Sequence, residues 1–388
     1  MTPETPGRRS ILFLGADAAY LYAFRAPLMR IFRRRGWRVV AVAGAGDPAQ
    51  AARFEALGVE FLDWPMRKAG LDPVADLAPL WRLWRILRET RPDVLFAHTV
   101  KPVIYGLLLA WLAGTPRRTA MIPGLGYAFT DDPGLRRRLV GWLARTGYRL
   151  ALARAQMVIF QNRDDLEVLR RAGVLAPDAP TGVVDGSGVD TGAFAPAPWP
   201  EGPPVFLMLA RLLRDKGVHE FVEAARMVRR ANPQARFVLA GGADANPAAV
   251  PPAQVAAWVA EGVIEAPGHV GDPRHLFADC HVFVLPSYYR EGCPRVNLEA
   301  MAMGRAVVTT DWVGCRETVI DGETGLLVPP RDPAALGQAL LALADDLPRA
   351  RAMGEAGRRY CEERFELEAV AATTAGFIGG DPRLDEMR

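Results

Sequence analysis

Cysteine is scarce in this sequence. The four present, Cys280, Cys293, Cys315 and Cys361, form no CxxC pair and no metal-ligand spacing, which excludes a disulfide scaffold and a zinc ribbon. They read as reduced thiols in a cytoplasmic protein. Long apolar runs are missing as well. The longest, Pro102 to Gly114, covers about a dozen residues where a bilayer-spanning helix needs roughly 20, so any membrane contact is expected to be peripheral. The opening MTPETPGRRS lacks the pattern of a signal peptide and leads directly into a strand. Low-complexity tracts are absent too, because the 32 prolines and 37 glycines are spread along the chain as turn residues.

What is present is a chain long enough for two or three domains. Half of its 388 residues are hydrophobic and 23% are charged, which allows sizeable cores and excludes wholesale disorder. The net charge of +3 hides an asymmetry: residues 1–190 carry 27 Lys and Arg against 18 Asp and Glu, and residues 191–388 carry 20 against 26. The two halves therefore suit different partners, and the basic one suits phosphates or an anionic surface.

Strand and helix patterns alternate along the first half. Apolar strand runs are expected at Ile11–Gly15, Trp37–Ala43, Val59–Leu62, Asp93–Ala97, Thr119–Ile122 and Met157–Gln161, with helical stretches between them. The loop GADAAYLY precedes a helix expected around Phe24–Arg35. Gly and Pro crowd the segment TGVVDGSGVDTGAFAPAPWPEGPP, and alternation restarts at Val205–Ala210. The pattern predicts two doubly wound α/β domains, each a parallel sheet covered by helices, with ligands beyond the carboxyl ends of the strands. The expected boundaries are a first domain at 1–186, a linker at 187–204, a second domain at 205–364 and a closing segment at 365–388.

The strongest chemical signal is EGCPRVNLE, residues 291–299, which follows the strand HVFVLP and the turn SYYR. Pro294 fits the first position of a helix, which leaves Glu291 in the preceding loop and Glu299 one to two turns inside. Backbone amides near Arg295, Val296 and Asn297 then form an anion site of the helix-terminus kind. Glu299 suits a vicinal diol such as ribose, and Glu291 suits sugar hydroxyls. Two glutamates alone also fit a capped surface helix; strand, turn, proline and both acids together favour the site. The second signal is ARLLRDKGV, residues 210–218, where Arg211 and Lys216 beside a helix start suit a diphosphate.

With these motifs the sequence resembles glycosyltransferase family 4 of the GT-B fold, two Rossmann-like domains facing each other across a cleft. Glu291 and Glu299 match the E-x7-E element, and Arg211 and Lys216 match the basic loop. DGETGLLVPPRDPAAL resembles the family's DGxxGxLxxxxDxxxL stretch, and GVDTGAF resembles its linker. The segment from Phe365 resembles the helix that crosses back to the first domain. The resemblance implies a retaining, metal-independent hexosyltransferase with a nucleotide-sugar as co-substrate and no further cofactor. It also implies diphosphate binding by Arg/Lys and helix amides, ribose binding by Glu299, and donor-sugar contact by Glu291. The implied mechanism is front-face departure, in which the leaving phosphate takes the acceptor's proton.

Candidates on the acceptor side lie in the first half. His98 ends the strand DVLFAH; a lone strand-end histidine is commonly structural, but the resemblance implies a catalytic contact with the donor sugar. Lys101 is expected to meet an acceptor phosphate. Arg25 either binds an acceptor diphosphate or solvates a helix face, in a loop resembling the family's flexible first loop. Gly124, Gly126 and Tyr127 in PGLGYAF resemble members that act on undecaprenyl-diphosphate-linked sugars and transfer N-acetylhexosamines; this is the basis for expecting a lipid-linked saccharide acceptor. The segment 134–156 bears six arginines and no acid. Leu135, Leu139, Trp142 and Leu143 are expected on one helix face, with Arg138, Arg145 and Arg149 on another. Both an anionic membrane surface at the inner face of the cell membrane and a core-packed helix with a solvated arginine face fit that pattern. Nucleic acid is disfavoured, because no recognition module accompanies the charge. Rival readings are a nucleotide-sugar epimerase of the same architecture, a sugar-nucleotide-binding scaffold without turnover, and a glycosyltransferase with a soluble acceptor.

Overall fold

The computed structural model describes residues 9–45, 47–66, 73–125, 135–242, 246 and 248–379, without the side chains of 73–74 and 135–140. The chain divides into two compact units. One runs to Ser187 and resumes at Glu368, and the other is Gly188–Leu367.

In the first unit seven strands form one parallel sheet: β1 (Ser10–Asp17), β2 (Arg38–Gly44), β3 (Glu60–Asp63), β4 (Val94–His98), β5 (Arg117–Ile122), β6 (Met157–Phe160) and β7 (Thr181–Val183). Their order is β3-β2-β1-β4-β5-β6-β7. The order reverses between β1 and β4, the kind of position beyond whose strand ends open α/β sheets bind ligands. Period-two alternation divides the strand side chains between the two faces. Leu12, Leu14, Val40, Val42, Leu95 and Ala97 pack with Leu83, Leu107 and Tyr148 from one helical layer. Ile11, Phe13, Val39, Ala41 and Phe96 face the other layer, where Met29 and Phe32 meet Ala375 and Ile378 of the closing helix Leu367–Gly379.

The second unit repeats the plan with β8 (Val205–Leu209), β9 (Arg236–Ala240), β10 (Glu265–Gly268), β11 (Val282–Leu285), β12 (Ala306–Thr310) and β13 (Gly325–Val328), again parallel. The order β10-β9-β8-β11-β12-β13 reverses between β8 and β11.

Three expectations are revised. The stretch GADAAYLY is not a loop: Asp17 accepts from the Tyr20 amide at 2.8 Å and caps a helix that begins at Ala18 and runs to Arg34. Residues 188–204, expected as a linker, fall within the second compact unit and pack on it. Arg358 Nη1 donates to the Thr191 and Phe194 carbonyls at 3.0 and 2.9 Å, and Arg305 Nη2 donates to the Pro198 carbonyl at 2.8 Å. On the helix Leu135–Leu152, Trp142 and Leu143 share the exposed side with Arg145 and Arg149, while Ala144, Tyr148 and Ala151 face the core. The described apolar and basic residues of this helix therefore share one outer surface; the side chains of Leu135, Arg138 and Leu139 lie outside the described residues. No helix among the described residues is long and apolar enough to cross a membrane.

Candidate active site

The loops that follow β8 and β11 flank the second unit's switch point. Arg211 is exposed just past β8, and Lys216 ends a 3-10 turn at Arg214–Lys216. Gly217 follows in the left-handed region at φ +81°, where a Cβ would lie 2.2 Å from the Pro286 carbonyl oxygen. Only glycine permits that approach. The Tyr288 and Tyr289 amides both donate to the Asp215 carbonyl at 2.9 Å, so the two loops are stitched together.

This brings the two motifs into contact. Lys216 Nζ forms an ion pair with Glu291, and the Ser287 hydroxyl donates to the same carboxylate at 3.1 Å. The Tyr289 ring carries Lys216 Nζ at 5.5 Å and the Arg211 guanidinium at 6.0 Å from its centroid, within cation–π range. Behind Glu291 stands Gly314 at φ +76°, where a Cβ would lie 2.5 Å from the Glu291 carbonyl oxygen. Hydroxyls from β12 hold the loop from below: Thr309 donates to the Leu285 carbonyl at 2.7 Å and Thr310 to that of Ser287.

The helix of the glutamate motif is Arg295–Ala302. Pro294 is its capping residue and not, as expected, its first helical one. The Asn297 amide is engaged with the Pro294 carbonyl at 3.1 Å, and its fully buried side chain donates to Thr318 Oγ1 at 2.9 Å. Asn297 thus braces the helix start, and of the three expected anion-binding amides its own is already bonded. Glu299 is 8% exposed, with Arg295 Nε 2.9 Å from its carboxylate. Burial pushes its pKa up to about 7 against the opposing pull of Arg295. A carboxylate so placed gains from each donor that reaches it, and a ribose diol supplies two. Among the described residues no group of three or more His, Cys, Asp or Glu is placed to hold a metal ion.

In the first unit His98 ends β4, fully buried, between the stacked rings of Tyr20 and Phe96. Nδ1 lies 3.2 Å from the Leu14 carbonyl and Nε2 has no hydrogen-bond partner among the described residues. Burial, helped by the charge of Arg25, lowers its pKa to about 3, so the ring is neutral, with Nδ1–H donating to Leu14 and Nε2 an acceptor. Thr99 follows at φ +70°, a strained value for a β-branched residue. Arg25 is not on a solvated face. It is buried in the helix Ala18–Arg34, bonded to Ser187 Oγ at 3.1 Å, with no partner for Nε or Nη2 among the described residues and its pKa lowered by burial to about 10. Lys101 differs most from expectation. Its ammonium contacts both carboxylate oxygens of buried Asp76 at 3.0 and 2.9 Å, and Tyr105 donates to the same group at 2.8 Å, so this cation is committed to holding two helices together. Gly126 and Tyr127 lie outside the described residues.

Residues 203–346 match the family described as Glycosyl transferases group 1, and residues 24–185 match the Glycosyl transferase 4-like domain. The N,N'-diacetylbacillosaminyl-diphospho-undecaprenol alpha-1,3-N-acetylgalactosaminyltransferase of Campylobacter jejuni is 30% identical over 86% of this chain and 89% of its own. The alpha-maltose-1-phosphate synthase of Mycolicibacterium smegmatis is 32% identical over 73% of this chain and 71% of its own. Among solved structures, sucrose-phosphate synthase from Thermosynechococcus elongatus superposes with a TM-score of 0.77 at 20% identity, covering 98% of this chain and 100% of that one. Anabaena HepE in complex with UDP-glucose gives 0.74 at 18% identity, covering 96% and 99%. The chain is a two-domain glycosyltransferase of the GT-B fold. It belongs to glycosyltransferase family 4.

Ser287, Tyr289 and Gly314 were not singled out in the sequence. The SYYR stretch reads there only as a turn, and nothing local in WVGCRE announces that Gly314 supports a loop from another strand.

Proposed function

We propose that the protein transfers an N-acetylhexosamine from a UDP-sugar to a polyprenyl-diphosphate-linked saccharide, with retention at the anomeric carbon, in polysaccharide or glycoconjugate assembly. The observation that carries the donor side is the joining of Arg211, Lys216 and Glu291 around the Tyr289 ring beside the switch point, with Glu299 buried on the helix that follows the same loop. The acceptor class is supported by the name of the Campylobacter jejuni relative, and the base by HepE, which was solved with UDP-glucose.

In this reading Arg211 and Lys216 neutralise the diphosphate, Glu299 accepts from the ribose diol and Glu291 accepts from the donor sugar. Lys216 is shared between Glu291 and the phosphate, so donor binding draws it partly off its carboxylate. The bond from C1 to the phosphate oxygen breaks as the acceptor hydroxyl bonds to C1 on the same face. The hydroxyl proton passes to the departing diphosphate, and UDP leaves without a covalent sugar–enzyme intermediate. His98, neutral, offers a hydrogen-bond acceptor to a sugar hydroxyl and no positive charge.

Radiolabelled UDP-N-acetylhexosamine incubated with and without an undecaprenyl-diphosphate-linked saccharide tests this. Label moving into the organic phase only with the lipid acceptor is the expected result. Label moving to a free saccharide favours a soluble acceptor, and conversion of donor alone into an altered sugar nucleotide favours an epimerase. Tight UDP binding without turnover under any condition favours a scaffold.

A further inference from the structure

Three helices of the first unit form one layer over the same face of the sheet: Pro73–Thr90, Val100–Ala113 and Leu135–Leu152. Their inner sides fill the core. Their outer sides are unlike an ordinary solvated surface. Among the described residues, eight of the twelve large apolar side chains left exposed lie on these helices, including every exposed tryptophan. Trp81 and Trp84 lie one turn apart on the first helix, at 59% and 39% exposure; Trp111 is 46% exposed on the second and Trp142 60% on the third. Scattered apolar residues need no explanation, but a concentration of tryptophan on one layer does.

Cations are interleaved with the rings. The guanidinium of Arg85 lies 5.0 Å from the Trp81 centroid, that of Arg88 5.7 Å from Trp84, and that of Arg154 4.5 Å from Trp111. Arg145 and Arg149 are exposed beside Trp142. The second and third helices contain no Asp or Glu, and the first has a buried Asp76 and one exposed acid, Glu89, paired with Arg85. A protein partner of ordinary composition would present both signs of charge to such a face. An anionic bilayer presents one sign at its headgroups and apolar depth beneath them, the medium in which indole rings and arginines settle together.

We propose that the outer face of this three-helix layer docks on an anionic phospholipid surface, with Trp81, Trp84, Trp111 and Trp142 entering the headgroup region. The proposal deepens the reading of a lipid-linked acceptor and rests on it for its purpose. The docking itself is measured without catalysis, so either can fail alone.

The test is flotation of the full chain with phosphatidylcholine vesicles, with and without phosphatidylglycerol, at low and high salt. The expected result is binding to the anionic vesicles alone, released by salt. Trp111→Ala/Trp142→Ala and Arg145→Glu/Arg149→Glu change only exposed side chains. Each pair is expected to weaken vesicle binding about tenfold or more. Thermal stability and the melting shift given by UDP are expected to stay as in the wild type. Absence of binding to anionic vesicles at low salt would overturn the proposal. So would equal binding to neutral vesicles, or binding indifferent to both variants. Self-association in sedimentation velocity, abolished by the tryptophan pair and unaccompanied by vesicle binding, would reassign the face to a second copy of this chain.

Discussion

Burial keeps Glu299 protonated up to about pH 7, whereas an unfolded chain releases a glutamate proton near pH 4.3, on the order of the model-peptide value. Between those values the native state binds more protons than the unfolded one, so stability falls as pH rises, by about 3 kcal/mol in all. Glu299→Gln removes that loss. It is expected to stabilise the ligand-free protein at pH 8 by about 1–3 kcal/mol and to flatten the fall between pH 5 and 7, read by calorimetric melts. The same variant is expected to bind nucleotide about tenfold more weakly or worse. An unchanged pH profile would show that the buried acid is not ionising at this site. Glu291, Glu299, Arg211 and Lys216 were readable from the sequence because each lies at a fixed offset from a strand end or a helix start. Their mutual contacts were not. Lys216 meets Glu291 across 75 positions, and that pairing is set by the approach of two loops, which no local spacing encodes. Lys101 misled for the same reason, since its partner Asp76 sits on another helix.

At the scale of elements, one backbone contact holds two loops of the second unit together and one buried ion pair joins two helices of the first. Gly217 allows the loop after β8 to rest on Pro286. Gly217→Ala introduces a Cβ at a left-handed residue and into a carbonyl. It is expected to cost about 2 kcal/mol or more in urea unfolding and to raise the donor KM by parting Lys216 from Glu291. Normal stability with a normal KM would show that the loops do not depend on this contact. In the first unit Asp76→Ala strands the buried ammonium of Lys101, at a cost of about 3–5 kcal/mol. Lys101→Met in the same chain is expected to restore part of that loss, and chemical denaturation of the single and double variants measures it. The central strands were readable as continuous apolar runs. The edge strands β7 and β13 were not, being three and four residues long beside glycine. The start of the first helix is hidden in the sequence because Asp17, a residue that fits a loop, is its cap.

For the molecule as a whole, two parallel sheets share one strand order, the first with an extra edge strand, so one chain has two switch points. The alternation of strand and helix made this architecture readable. The packing of 188–204 onto the second unit was not, because Gly and Pro mark a turn-rich path without saying what it lies against. Arg211, Lys216, Glu291 and Glu299 are proposed to hold a nucleoside diphosphate by its ribose and phosphates. The most direct measurement is a calorimetric cycle: titrate UDP and its 2',3'-dideoxy analogue, with GDP as the alternative base, into wild type and Glu299→Ala. Wild type is expected to prefer the intact ribose by about 10- to 100-fold, and Glu299→Ala to lose that preference. Equal preference in both proteins, or no nucleoside diphosphate binding by the wild type, would contradict it.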